Sequence, residues 1–234
     1  MATEATLLQA VNAALGDAMA HDDRTVLLGQ DVGRLGGVFR ATQGLLERYP
    51  DRVFDTPLAE GGIVGSSIGL ALGGVVPIAE IQFLGFLHQA WHQVTQQLAR
   101  YRYRTRSRYH LPVTIRAPYG GGLRMPEYHP DSIEGQLTNV PGIKVYTPAF
   151  PDDAYLMVRA AVADPDPVVV MEPQRLYRSV RGALPESVDV EAPIGVRTRR
   201  VGSDVLLVSW GPAVHLCLAA ADVLVGIATS GRTP

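Results

Sequence analysis

The sequence predicts an α/β fold: a doubly wound parallel sheet covered by helices on both faces, followed by the start of a second, incomplete α/β domain. Three observations lead to this expectation. Runs such as "VVPIAEIQF" and "PVVVME" are too uniformly apolar for strands with one wet face, so they read as strands buried on both sides. Stretches of helical period separate those runs, which is the alternation of a parallel sheet with crossover helices. The length of 234 residues, 47% of them hydrophobic, allows one full core and part of another.

Along the chain, Leu7, Leu8, Val11, Ala14, Leu15 and Ala18 recur at helical spacing over residues 4–20, and "RTVLLGQDV" follows as a strand ending at glycine. A glycine-rich loop leads to "TQGLLERYP", a short helix stopped before Pro50. After the strand "VVPIAEIQF", Leu84, Leu87, Trp91, Val94, Leu98 and Tyr101 mark an amphipathic helix. "LPVTIRAP", "GIKVYTP", a helix over residues 151–163 and "PVVVME" continue the pattern. We place a first domain at residues 1–182 and a linker at 183–200, where turn formers follow one another without a period. The truncated second domain, 201–234, begins with a strand "SDVLLVSWG" and a helix "AVHLCLAAADVL", while the closing "ATSGRTP" predicts no element.

Charge and cysteine content narrow the function classes. Lys plus Arg number 21 against 23 Asp plus Glu, so no global field points to nucleic acid or an anionic membrane. The single cysteine, Cys217, excludes an internal disulfide framework and fits a reducing compartment. Glu4, Asn12 and Asp17 interrupt an N-terminus that lacks the basic and apolar segments of a signal or anchor. These features predict a cytoplasmic protein.

The stretch "DTPLAEGGIVGSSIGLALGG" carries the sharpest functional signal. Glu60 stands before a helix that is apolar or small nearly all round and therefore buried. A carboxylate there can simply favour the helix N-terminus and the free amides of Gly61 and Gly62. At the mouth of a buried helix it is also partly removed from water, which suits a chemical role.

With "IAEIQF", "ARYRYR", "PGIKV" and "EPQRLYR" following in order, the chain resembles the β subunit of the thiamine-diphosphate-dependent 2-oxoacid dehydrogenase E1 component. Pyruvate, branched-chain 2-oxoacid and acetoin dehydrogenases form that group. The likeness runs from about residue 4 to about residue 215 and implies a transketolase-type pyrimidine-binding domain. It further implies that Glu60 hydrogen-bonds N1′ of the cofactor's aminopyrimidine, favouring the tautomer whose 4′ nitrogen can take the thiazolium proton. Leu58 and Gln82 match positions that line the pyrimidine pocket, Phe86 the aromatic that stacks on the ring, and His129 a histidine that reaches the active site and assists the acyl intermediate or the incoming lipoyl group. An α subunit is expected to hold the diphosphate through magnesium in an α2β2 heterotetramer, and a lipoyl domain and acyltransferase core, E2, to accept the product. The resemblance also implies a structural potassium ion near Thr114, Asp164 and Asp166.

Several positions depart from the family pattern. Gln30 stands where an acid is usual, Pro130 and Asp131 interrupt the histidine motif, His88 and His92 are additional, and most of the C-terminal domain is missing. These departures motivate an alternative: a non-catalytic or vestigial subunit that pairs with α without completing a site. Two other constellations are weaker. His88 and His92 lie four apart like a zinc pair, but Gln89 replaces the glutamate a metalloprotease needs and no third ligand is evident. The arginine–tyrosine run "ARYRYRTRSRYH" lacks the basic field of a nucleic-acid binder, so neither nucleic acid nor membrane is expected as a partner.

Overall fold

The computed structural model describes residues 4–122 and 124–230. A six-stranded sheet forms the centre, in the order β3 (Val53–Asp55), β2 (Thr25–Gly29), β4 (Val76–Glu80), β5 (Thr114–Tyr119), β7 (Val168–Pro173) and β6 (Lys144–Tyr146). All its pairings are parallel. Every residue of β4, β5 and β7 is buried, which is why these strands read as continuous apolar runs.

Two helical layers cover the sheet. On one face, α1 (Leu7–His21) and α6 (Pro151–Ala163) bury Leu7, Val11, Leu15, Ala154 and Val158 against Leu27, Ile78 and Val170. On the other, α3 (Glu60–Leu72) and the segment 84–98 bury Ile63, Val64, Leu87 and Val94 against Ala79, Ile115 and Val169. Truncating one such leucine to alanine costs about 2–5 kcal/mol. Short helices α2 (Leu45–Arg48), α4 (Tyr101–Arg104) and α5 (Glu134–Leu137) lie in the connections. Among the described residues, no helix is long and apolar enough to cross a membrane.

The structure corrects several sequence expectations. The first helix starts at Leu7, because Thr6 caps it: the Thr6 hydroxyl accepts from Gln9 N at 3.2 Å and Gln9 Oε1 accepts from Thr6 N at 2.9 Å. Residues Glu4–Thr6 instead form β1, antiparallel to β8 (Arg181–Ala183), a strand that straddles the boundary placed between the first domain and the linker. The helix expected after β4 changes pitch, with 3₁₀ turns over Leu84–Ala90 and π turns over Gln93–Leu98. Leu84, Leu87 and Ala90 recur every third residue, the eclipsed spacing of a 3₁₀ helix, and Ala90, Val94 and Leu98 every fourth, so each pitch keeps its row buried.

The expected strand "SDVLLVSWG" forms no strand. Its residues find no neighbouring strand to share hydrogen bonds, and Val205, Leu206 and Val208 are exposed. The following helix does form, as α7 (Ala213–Ser230). It takes in the first residues of the closing stretch read as structureless, whose last part, 231–234, lies outside the described residues.

Candidate active site

The sheet reverses direction of growth at β2: β3 is added on one side and β4 on the other. Such a switch point opens a crevice at the C-terminal ends of the strands, the usual binding place in this architecture. The residues singled out from sequence converge on that edge. Glu60 begins the helix after β3, Gln82 follows β4, and His129 lies in the loop after β5.

Glu60 is only 7% exposed, yet among the described residues nothing hydrogen-bonds or ion-pairs its carboxylate. It does not cap its helix, whose first turn has no side-chain cap. The helix dipole still favours an anion in this first turn, but the hydrogen bonds to free amides that the simpler reading also invoked are not made. Neither of its oxygens is among the fully buried unpartnered atoms of the described residues, so the carboxylate opens onto the crevice, where a ligand donor can reach it. Gly61 brings the start of α3 against the neighbouring rod, since a Cβ there would lie 3.3 Å from the Gln89 carbonyl.

Gln82 is oriented by Asp31, whose Oδ2 accepts its Nε2 at 3.0 Å, so the Gln82 carbonyl oxygen faces elsewhere. Phe86, half-buried on the 3₁₀ turn, meets His129 with ring centroids 5.1 Å apart, and Phe83 lies 4.5 Å from the same imidazole. His129 Nδ1 sits 3.0 Å from the Glu127 carbonyl, which can only accept, so this contact selects the tautomer protonated at Nδ1 and leaves Nε2 as the acceptor. Leu58 is 71% exposed, presenting an apolar side chain ahead of Glu60 without a cover of its own. Phe86 and His129 are thus brought into contact, Gln82 is tied to the end of β2, and Glu60 and Leu58 stand at the mouth of α3. The donor set suits an aminopyrimidine: an unpaired buried carboxylate, a carboxamide and an aromatic face.

Residues 3–180 match the family described as "Transketolase, pyrimidine binding domain". The pyruvate dehydrogenase E1 component subunit beta of Bacillus subtilis (strain 168) is 46% identical over 221 residues, covering 94% of this chain and 68% of that protein. The chain belongs to the E1 β subunits of 2-oxoacid dehydrogenases. A second relative, the 3-methyl-2-oxobutanoate dehydrogenase subunit beta of Mycobacterium tuberculosis (strain CDC 1551 / Oshkosh), is 48% identical over 93% of the chain and 62% of its own length. The 2-oxoisovalerate dehydrogenase subunit beta of Bacillus subtilis (strain 168) is 43% identical, over 93% of the chain and 67% of that protein. The chain therefore spans about two thirds of the length of these E1 β subunits. Among solved structures, "Split gene transketolase, inactive beta4 tetramer" superimposes with a TM-score of 0.72 at 21% identity, covering 94% of this chain and 68% of that one, a likeness of fold. Membership in this family carries dependence on thiamine diphosphate.

Beneath the site of this E1 β chain lies an ionic network that sequence reasoning missed. Arg116 on β5 is 1% exposed and donates through Nε to Glu172 Oε1 at 2.7 Å and through a terminal nitrogen to Glu172 Oε2 at 2.6 Å. Its other terminal nitrogen meets Glu80 at the end of β4. Tyr177 donates to Glu172 at 2.5 Å. Burial pushes the Glu80 carboxyl above the ordinary carboxylate range, with Arg116 opposing. The Glu80 carboxylate also lies under the glycine loop, 3.2 Å from where a Cβ on Gly37 would stand. The available signal was a lone arginine within the apolar "TIRAP", between strands ending in "AE" and "ME".

The residues expected near a structural cation are partly occupied. Asp164 accepts from Lys144 Nζ at 2.5 Å and from the Asp166 backbone at 2.9 Å, and Asp166 accepts from Arg102 at 2.5 Å. Thr114 Oγ1 and Asp166 Oδ1 remain buried without a hydrogen bond among the described residues. His88 engages both ring nitrogens, Nδ1 with the Gly85 carbonyl at 3.1 Å and Nε2 with Gln136 Oε1 at 3.0 Å. Among the described residues, no group of three His, Cys, Asp or Glu is placed to hold a metal ion.

Proposed function

We propose that this chain supplies the pyrimidine half of a thiamine diphosphate site in a heteromeric E1 enzyme. That enzyme decarboxylates a 2-oxoacid oxidatively and passes the acyl group to a lipoyl domain. The observation that carries the reading is Glu60, 7% exposed at the C-terminal edge of the sheet, whose carboxylate has no partner among the described residues. When bound, thiamine diphosphate supplies the nucleophilic carbon and the electron sink for loss of carbon dioxide. Glu60 holds a proton at the pyrimidine N1′, Phe86 packs on the ring, and Leu58 and Gln82 close its sides. His129, with Nε2 free to accept, moves a proton at the acyl-transfer end.

An α subunit completes the site in an α2β2 assembly and holds the diphosphate through magnesium, and the E2 core receives the acyl product. The relatives divide between pyruvate and branched-chain enzymes, which supports a small 2-oxoacid as substrate. A monovalent cation beside Thr114 and Asp166 is supported by their two unpartnered oxygens. The near-balanced charge and lone cysteine support a cytoplasmic location.

The test is magnesium-dependent thiamine diphosphate binding, measured by calorimetry on the chain co-expressed with its α partner. Saturable binding in the wild type, with turnover lowered at least a hundredfold in an assembled Glu60→Gln complex, is the expected result. A stable complex without cofactor binding would instead identify a subunit that pairs but completes no site. Full turnover in Glu60→Gln would refute the role given to that residue.

A further inference from the structure

The loop that carries His129 leaves the sheet at Tyr119, the last residue of β5, and re-enters regular structure at Glu134, the first residue of α5. Both ends carry buried polar atoms without hydrogen-bond partners among the described residues: the Tyr119 hydroxyl and Glu134 Oε2. A single short segment from far along the chain lies over both. Trp210 Nε1 donates to Glu134 Oε1 at 3.3 Å. Gly211, at φ +52°, rests on the Tyr119 hydroxyl so closely that a Cβ would stand 2.1 Å from it. We propose that Trp210 and Gly211 form a clasp over both ends of the connection between β5 and α5, at Tyr119 and Glu134, and thereby position His129.

The loop can transmit such a constraint because it is closed internally as well. Gly120 N donates to the Asp131 carbonyl at 3.2 Å, and Gln174 Nε2 bridges the carbonyls of Gly120 and His129, the latter at 3.2 Å. The clasp has its own anchors on either side. Arg197 pairs with Asp153 at 2.9 Å and Arg199 with Asp152 at 3.1 Å, both acids lying in the first turn of α6, while His215 Nε2 contacts the Ala149 carbonyl at 2.8 Å. Burial, and after it the neighbouring Glu134 carboxylate, push the ionisation of the Tyr119 hydroxyl to higher pH, which keeps it neutral beneath Gly211. The position of His129 is therefore set in part by residues beyond the matched pyrimidine-binding segment, 3–180. Trp210 and Gly211 act here as positioning residues, a role that rests on the reading of His129 given above.

Histidine ring NMR signals of the 234-residue chain test the clasp directly. Trp210 is 55% exposed, so Trp210→Phe removes the N–H donor while sparing the core. The expected result is a shift in the His129 ring signals in Trp210→Phe and Glu134→Leu, with those of His21 unmoved. Glu134→Gln, which keeps an oxygen acceptor, should restore the wild-type spectrum. In the complex with the α subunit, Trp210→Phe should lower turnover about tenfold while cofactor affinity and KM stay unchanged. Unmoved His129 signals overturn the clasp, and the Trp210→Phe spectrum decides alone should Glu134→Leu not fold. A complex that binds no thiamine diphosphate refutes the proposed function and leaves the spectral result standing.

Discussion

The imidazole of His129 stands edge-on to the ring of Phe86, with centroids 5.1 Å apart and planes at 78°. This joins the aromatic assigned to ring stacking with the histidine assigned to proton transfer. Aromatic contacts of this kind contribute about 0.5–1.5 kcal/mol beyond area burial, enough to bias a loop without locking it. What fixes the approach is Gly85, the neighbour of Phe86: a Cβ there would lie 2.2 Å from the Tyr128 carbonyl and 2.9 Å from Asp131 Oδ2.

Gly85→Ala should therefore displace the His129 loop. Tyr128 already holds a left-handed φ of 68°, so the backbone has little slack with which to retreat. A displacement on the order of 1 Å predicts a loss of about a hundredfold in turnover of the assembled enzyme. Cofactor binding at Glu60 should persist. Steady-state kinetics with calorimetry on the same preparation check both halves of this expectation.

Glu60→Gln should behave differently in stability from what its burial suggests. The amide has the shape of the acid and, with nothing among the described residues paired to the carboxylate, its introduction breaks no protein contact. We expect an unchanged or slightly raised Tm, within about 1 kcal/mol, alongside the loss of turnover. A large drop in Tm by calorimetric scanning would mean that Glu60 is structural.

Arg116→Leu should be among the most damaging single changes in the sheet. It leaves Glu80 and Glu172 buried at 3% and 0% exposure with no cation between them. Breaking such a pair costs about 3–5 kcal/mol. Burial raises the Glu80 carboxyl even with Arg116 present, and more so without it, so the variant's deficit should shrink as pH falls and Glu80 takes up a proton. Urea unfolding at neutral pH and at about pH 5 compares the two conditions. An equal deficit at both would contradict the assignment.

Alkaline conditions should weaken the fold from about pH 10 upward. Burial first, and then Glu172, push the Tyr177 hydroxyl well up, and burial with Glu134 does the same for Tyr119. Above the ordinary tyrosine range the unfolded chain releases these protons while the native chain retains them, so stability falls as pH rises. Tyr119→Phe removes one contributor and an unpartnered hydroxyl, and should flatten the decline measured by denaturant titration.

By itself the sequence determined the order of buried strands and helices, the switch from strand to buried helix at Glu60, and the family, because apolar periodicity and contiguous motifs are local properties. The 3₁₀ and π pitch after β4 was not read, because Leu84, Leu87, Trp91, Val94 and Leu98 fit an ordinary amphipathic helix equally well. Only the tertiary structure decided which distant residues meet. The Arg116 network spans three strands, β1 exists because β8 reaches it, and Trp210 meets Glu134 from across the fold. The segment "SDVLLVSWG" has the composition of a strand but forms none, since a strand's hydrogen bonds belong to its neighbours and composition cannot supply them.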